Sequence, residues 1–231
     1  MARLRARRAG AFRRRPLPAR HRGRRCDVAS ALIVPLADAV LRLARSELVA
    51  YPTETVYGLG ADAFSAEALA RLRALKGRDA ERGLSVLIAD LAALERFAAP
   101  LAPEARLLAE RFWPGPLTLV VPVADARFAG VRTPLGVGFR CSSQSSASAL
   151  ARASGRPIVS TSANRSGQEP CATAAEVERE FGPELAILGG EPASGLAPST
   201  VVAIRGGGGL QLLREGSLSR SELEAVLAGP G

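Results

Sequence analysis

The segment Lys76-Gly77-Arg78-Asp79-Ala80-Glu81-Arg82 puts three cations within seven residues, just after a run with helical apolar spacing. A polyphosphate chain is the kind of ligand such a cluster can grip. Lys76 is also the one lysine in a chain whose other basic residues are all arginine. A compact ammonium has been kept where planar guanidinium serves everywhere else. Two further stretches gather hydroxyls, an amide and a carboxylate. They are Tyr51-Pro52-Thr53-Glu54-Thr55-Val56-Tyr57-Gly58-Leu59-Gly60 and Ser160-Thr161-Ser162-Ala163-Asn164-Arg165-Ser166-Gly167. Arg140 ends another apolar run. Each feature has a plain structural alternative: a solvated charge run, or a turn held by Ser and Thr side chains. Together they set hydroxyls, amides and cations at strand ends, where open α/β sheets bind ligands.

The elements that must hold these residues follow from apolar spacing and its punctuation. Leu36–Ser46 and Ser65–Lys76 have helical period, the second with Ser65 as N-cap and Gly77 just past its end. Pro103–Phe112, Ser145–Ala153, Ala174–Phe181 and Ser219–Ala228 also read as helices. Strands are expected at Leu48–Tyr51, Leu84–Ala89, Leu117–Val121, Val137–Cys141, Pro157–Ser160, Leu185–Leu188, Thr200–Ile204 and Leu210–Leu213. Phe112-Trp113-Pro114-Gly115-Pro116-Leu117-Thr118 reads as a rigid corner, with little chemistry beyond Thr118. Interleaving without a strict βαβ repeat predicts one α/β domain: a twisted mixed sheet, helices packed on it, and a concave cleft. Neither GxxxxGK[ST] nor a strand-linked GxGxxG is present, so a nucleotide must be held by other means.

Composition bounds the function. The eleven arginines of residues 1–25 outweigh the net charge of +9, so the remainder is near neutral. We therefore expect a basic, disordered arm over 1–27 and a catalytic domain over 28–231. The arm could contact RNA phosphates, resemble a transit peptide, or be an extension from a misassigned start. No apolar stretch reaches the roughly 18 residues of a membrane span, and a cytoplasmic location is expected. Cys26, Cys141 and Cys171 are too widely spaced for a disulfide framework or a CxxC metal site. The single histidine, His21, lies in the arm, which argues against zinc chemistry and imidazole catalysis in the domain.

In chain order, PTETVYGLGADA, KGR followed by GL, FWPGPLT, VGFR, STSANRSG, STVV and LLREG resemble the motif series of the YrdC-like family, the threonylcarbamoyl-AMP synthases of tRNA modification. The resemblance runs from about Ala37 to Ser217 and looks more like the single-domain type than the longer relatives with a second domain. It implies that L-threonine, bicarbonate or CO2, and ATP with Mg2+ are converted to threonylcarbamoyl-AMP and pyrophosphate. Proteins of a tRNA threonylcarbamoyl-transferase complex would then pass the group to the adenosine beside the anticodon of tRNAs reading ANN codons. By the same resemblance Thr55, Arg140, Ser160 and Ser199 face threonine. Lys76, Arg78, Ser162, Asn164, Cys171 and Arg214 face ATP, with Lys76 and Arg78 carrying the catalysis. Four positions depart from the family pattern: Asp79 for proline, Gln144 for histidine, Arg82 for Asn or Lys, and Leu87 for a histidine found in some relatives. An RNA-binding or ribosome-maturation factor of the same fold is the alternative reading, favoured only by the arm. A carbamoyltransferase domain of hydrogenase maturation would bring added domains for which this sequence has no counterpart.

Overall fold

The computed structural model describes residues 32–77, 84–98, 100–191, 197–204 and 209–229. Residues 1–31 lie outside this set, and with them the expected arm. So do Arg78, Asp79 and Arg82.

The described elements are, in chain order, β1 (Ile33–Val34), α1 (Leu36–Ala44), β2 (Val49–Pro52), β3 (Tyr57–Asp62), α2 (Ala66–Lys76), β4 (Ser85–Leu87), α3 (Leu91–Glu95), α4 (Pro103–Phe112), β5 (Leu117–Val121), β6 (Val137–Arg140), α5 (Ser145–Ser154), β7 (Ile158–Ser162), α6 (Ala174–Phe181), β8 (Ala186–Leu188), β9 (Thr200–Ile204), β10 (Leu210–Arg214) and α7 (Arg220–Ala228). The strands join one mixed sheet in the order β1-β8-β2-β3-β7-β4-β6-β5-β9-β10, as the interleaved pattern predicts.

Strand alternation divides the sheet into two faces. Ala61, Val159, Val86, Phe139, Leu119 and Val202 are successive cross-strand partners. All six are buried in the larger core, under apolar residues of α2, α3, α4, α6 and α7. One residue along, the row is Gly60, Ser160, Ser85, Gly138, Val120 and Ala203. Small and hydroxyl residues thus face the other way. On that second face Ile158 and Leu87 lie in a smaller core with Leu43 of α1 and Leu150 of α5. Beside this covered stretch, Ser160, Ser85, Gly138 and Val120 of that row form the floor of a cleft.

Helix ends follow their local chemistry. Ser65 Oγ accepts from Ala68 N, and Gly77 closes α2 with φ +60°, a backbone setting that suits glycine. Thr173 and Ser219 each form a reciprocal capping box, with Glu176 and Glu222.

The main departure from the sequence reading is β3. Two glycines and adjacent hydroxyls suggest a loop, yet Tyr57–Asp62 is a buried strand. Tyr51 supplies the reason. It pairs with Gly58 in the antiparallel β2–β3 ladder, and a Cβ on Gly60 would come 2.9 Å from its ring. The glycines therefore make room for an aromatic ring laid across the strand. β7 also runs on to Ser162 rather than ending at Ser160, and β1 and α3 had no clear signal at their short lengths.

Candidate active site

The cleft has a volume of about 430 Å³ and is lined chiefly by strand ends. Thr55, Lys76, Arg140, Ser160, Ser162, Asn164, Ser199 and Arg214 all line it. Eight residues spread over 160 positions of sequence are thus brought to one place. Cys171 is not among the lining residues. Its side chain is buried in the larger core, and burial pushes the thiol up to about 11. Its backbone instead ties the loops: Tyr57 N donates to Cys171 O and Cys171 N to Ala163 O, at 2.9 and 2.8 Å.

One end of the cleft is built around Arg140, the last residue of β6. Its Nη2 donates to Glu54 Oε1 at 2.8 Å and lies 3.2 and 3.4 Å from the hydroxyls of Thr55 and Thr53. Glu54 Oε2 accepts from the Ser142 hydroxyl. Arg140 and Glu54 side chains are only 9% and 12% exposed, so the pair is nearly dry. A buried charge without such a partner would be costly. Arg140 Nε is buried and has no hydrogen-bond partner among the described residues. Buried donors are rarely left so. Tyr51 closes the back of this end, its phenol pushed up to about 12 by burial.

Ser199 and Arg214 stand on the same side. Thr118 and Ser199 share a 2.9 Å hydrogen bond, and Arg214 Nη2 donates to Ser199 O at 2.8 Å. Arg214 is exposed along its length, but desolvation, and then the charge of Arg140, hold its guanidinium below the usual arginine range. Two cations that repel each other across a cleft favour an anion between them.

The other end is built around Lys76, the last residue of α2. The side chain is buried, and Nζ donates to Ser162 O at 2.6 Å, Asn164 O at 2.9 Å and Asn164 Oδ1 at 3.2 Å. Ser162 Oγ also donates to Asn164 Oδ1, at 2.6 Å, and Ser166 N donates to Lys76 O at 3.0 Å. The lysine thus pins the loop after β7 to the end of α2 while keeping its charge at the cleft wall.

Thr53, Ser85 and Thr133 line the cleft as well, and sequence reading did not single them out. Thr53 stood inside a motif already noted. Ser85 could be found only from the register that sets it beside Ser160. Two of the departures from the family pattern lie outside the lining. Gln144 caps α5, accepting from Ser146 N at 2.6 Å, and Leu87 is buried in the smaller core. The Trp113 corner is structural: its indole donates to Leu117 O at 2.8 Å, and Gly115 N donates to Cys141 O at 2.8 Å.

Among the described residues no Asp or Glu lines the cleft, and no group of three His, Cys, Asp or Glu gathers anywhere. No helix among the described residues is long and apolar enough to cross a membrane.

A cleft with a buried guanidinium at one end, a buried ammonium at the other and hydroxyls between suits small anionic ligands. The model of the Sua5, YciO and YrdC proteins, described as "Telomere recombination", matches residues 42–216. A threonylcarbamoyl-AMP synthase of Thiobacillus denitrificans is 40% identical over 168 residues, 71% of this chain and 88% of that protein. One of Bacillus subtilis is 38% identical over 201 residues, 84% of this chain but only 57% of the relative. The structure of P. abyssi Sua5 complexed with L-threonine superposes with a TM-score of 0.76 at 39% identity, covering 83% of this chain and 57% of that one. The chain belongs to the Sua5/YciO/YrdC family.

Proposed function

We propose that this chain is a threonylcarbamoyl-AMP synthase, joining L-threonine, bicarbonate or CO2, and ATP into threonylcarbamoyl-AMP with release of pyrophosphate. The observation that carries the reading is the nearly buried Arg140 guanidinium on the cleft wall, held by Glu54 and the hydroxyls of Thr53 and Thr55. The α-carboxylate of an amino acid pairs with such a guanidinium. Relatives of this name match most of the chain, and they favour the synthase over an RNA-binding factor of the same fold.

The chemistry needs no enzymic nucleophile. The free amine of threonine adds to CO2 and loses a proton, giving a carbamate. A carbamate oxygen then attacks the α-phosphorus of ATP, and the bond to the bridging oxygen breaks to release pyrophosphate. Such a displacement is accelerated by alignment and by neutralising charge on the phosphates. Arg140, Thr55, Ser160 and Ser199 would hold threonine at one end. Lys76, Ser162 and Asn164 would hold the nucleotide at the other, with Arg78 in the segment after α2 and Arg214 near the join. Mg2+ enters with ATP as part of the substrate and offsets phosphate charge. For Lys76 to touch a phosphate, an oxygen of ATP must take a place beside the carbonyls that Nζ now serves. The core position of the Cys171 thiol leaves its neighbour Pro170, which lines the cleft, as the nearer nucleotide contact.

The product is a mixed anhydride, an activated acyl group suited to transfer. We assign that transfer to separate proteins of the tRNA threonylcarbamoyl-transferase complex, with the adenosine beside the anticodon as acceptor; direct RNA contact would fall to the basic arm. The test is to incubate the chain with ATP, Mg2+, bicarbonate and L-threonine and to follow pyrophosphate. Release that depends on threonine is expected; release indifferent to threonine contradicts the reading.

A further inference from the structure

Glu54 lies within the first motif, yet it does not line the cleft, and neither does Ser142. Both stand behind Arg140. Every Arg140 side-chain contact described above falls on Nη2: Glu54 at 2.8 Å, Thr55 at 3.2 Å and Thr53 at 3.4 Å. None falls on Nε. A guanidinium is planar, so fixing one nitrogen from behind sets the direction in which the Nε–H bond points. Glu54 is itself anchored, because its second oxygen takes the Ser142 hydroxyl. Loop 53–55 and the exit of β6 are thereby locked together through one side chain.

We propose that Glu54 is a positioning residue. It holds the Arg140 guanidinium in one plane at the cleft wall, where a substrate carboxylate would meet it, with Ser142 as its anchor. This rests on the reading of the cleft as an L-threonine site. A different role for Glu54, mere neutralisation of a buried cation, makes a different prediction. Positioning depends on an acceptor oxygen at the right place; neutralisation depends on charge.

Two substitutions separate these roles. Glu54→Gln keeps an oxygen for Arg140 and offers its amide to the Ser142 oxygen, but carries no charge. Glu54→Ala removes both oxygens. L-Threonine binding is measured by titration calorimetry, with ATP affinity and Tm recorded alongside. We expect E54A to bind L-threonine about tenfold or more weaker, in keeping with loss of a charge-assisted contact. E54Q should stay within about threefold of the unaltered chain, and ATP affinity should hold in both. Ser142→Ala, a smaller change, should weaken threonine about threefold with Tm unmoved, and it serves even if E54A fails to fold. The proposal is overturned if E54A binds threonine like the unaltered chain, if E54Q falls as far as E54A, if ATP affinity falls in step with threonine affinity, or if S142A changes nothing. If the unaltered chain itself binds no L-threonine, the proposed function fails first.

Discussion

The two ends of the cleft are stabilised by different means. Around Arg140 the contacts are between side chains: a guanidinium, a carboxylate and three hydroxyls, nearly all buried. Around Lys76 they run from a side chain to the backbone, with Nζ donating to the carbonyls of Ser162, at the end of β7, and of Asn164, in the loop after it. The first end is shaped before any ligand arrives, as suits recognition of one rigid carboxylate. The second is a loop held by a cation, as suits a flexible polyphosphate. In the proposed reaction, binding energy at the first end would serve selectivity, and charge at the second would stabilise the departing pyrophosphate.

If the ends are separate, substitutions should divide by substrate. Arg140→Ala should have the largest effect. It removes the carboxylate contact and breaks the nearly buried ion pair with Glu54, a change that typically costs about 3–5 kcal/mol. Threonine-dependent kcat/KM should fall by about three orders of magnitude while ATP still binds, as measured by steady-state pyrophosphate release and ATP titration. Equal loss of ATP binding would merge the two ends. Lys76→Met comes next. It retains much of the buried volume but loses the bonds to Ser162 and Asn164. KM for ATP should rise at least about tenfold and Tm should drop by about 5 °C, with threonine affinity nearly unchanged. A rise in the threonine KM of the same size would contradict the division.

Two smaller changes probe the framework rather than the chemistry. Gly60→Ala brings a methyl 2.9 Å from the Tyr51 ring. Such overpacking costs about 1–3 kcal/mol, read as a lower melting temperature. Its catalytic effect should fall on threonine, because Tyr51 closes the Arg140 end. Cys171→Ala should change KM for ATP less than twofold if the thiol belongs to the core, as thiols that only pack contribute little to ligand binding. Burial pushes both Cys141 and Cys171 up to about 11. Alkylation of either by iodoacetamide should therefore be slow at pH 8 and quicken only as pH rises toward those values.

How far these regions were legible in the sequence differs in the same way. α4, β5, α6 and β9 follow from apolar period and punctuation alone, with the bounds expected. Eight of the ten residues expected to face substrate reach the cleft, because short motifs at strand ends converge wherever the strands share a sheet. Cys171 does not, and Arg78 lies outside the described residues. β3 was hidden because its glycines answer to a tyrosine on the neighbouring strand, and local pattern does not report cross-strand contacts. Ser85 and Ser142 were hidden for the same reason. A serine gains a role from register or from an ion pair seated beside it, and neither is visible before the sheet is assembled. The role of Glu54 required both: its loop was conspicuous, but its partner stands 86 residues away.

In the proposed reaction one cleft joins a threonine carbamate to the α-phosphate of ATP. The most direct measurement supplies 13C-bicarbonate with ATP, Mg2+ and L-threonine and follows the nucleotide product by mass spectrometry alongside pyrophosphate. The expected product is a threonylcarbamoyl-AMP heavier by one labelled carbon, formed one for one with pyrophosphate and lost in Arg140→Ala. AMP and pyrophosphate produced without label in any threonine adduct would contradict the proposed reaction.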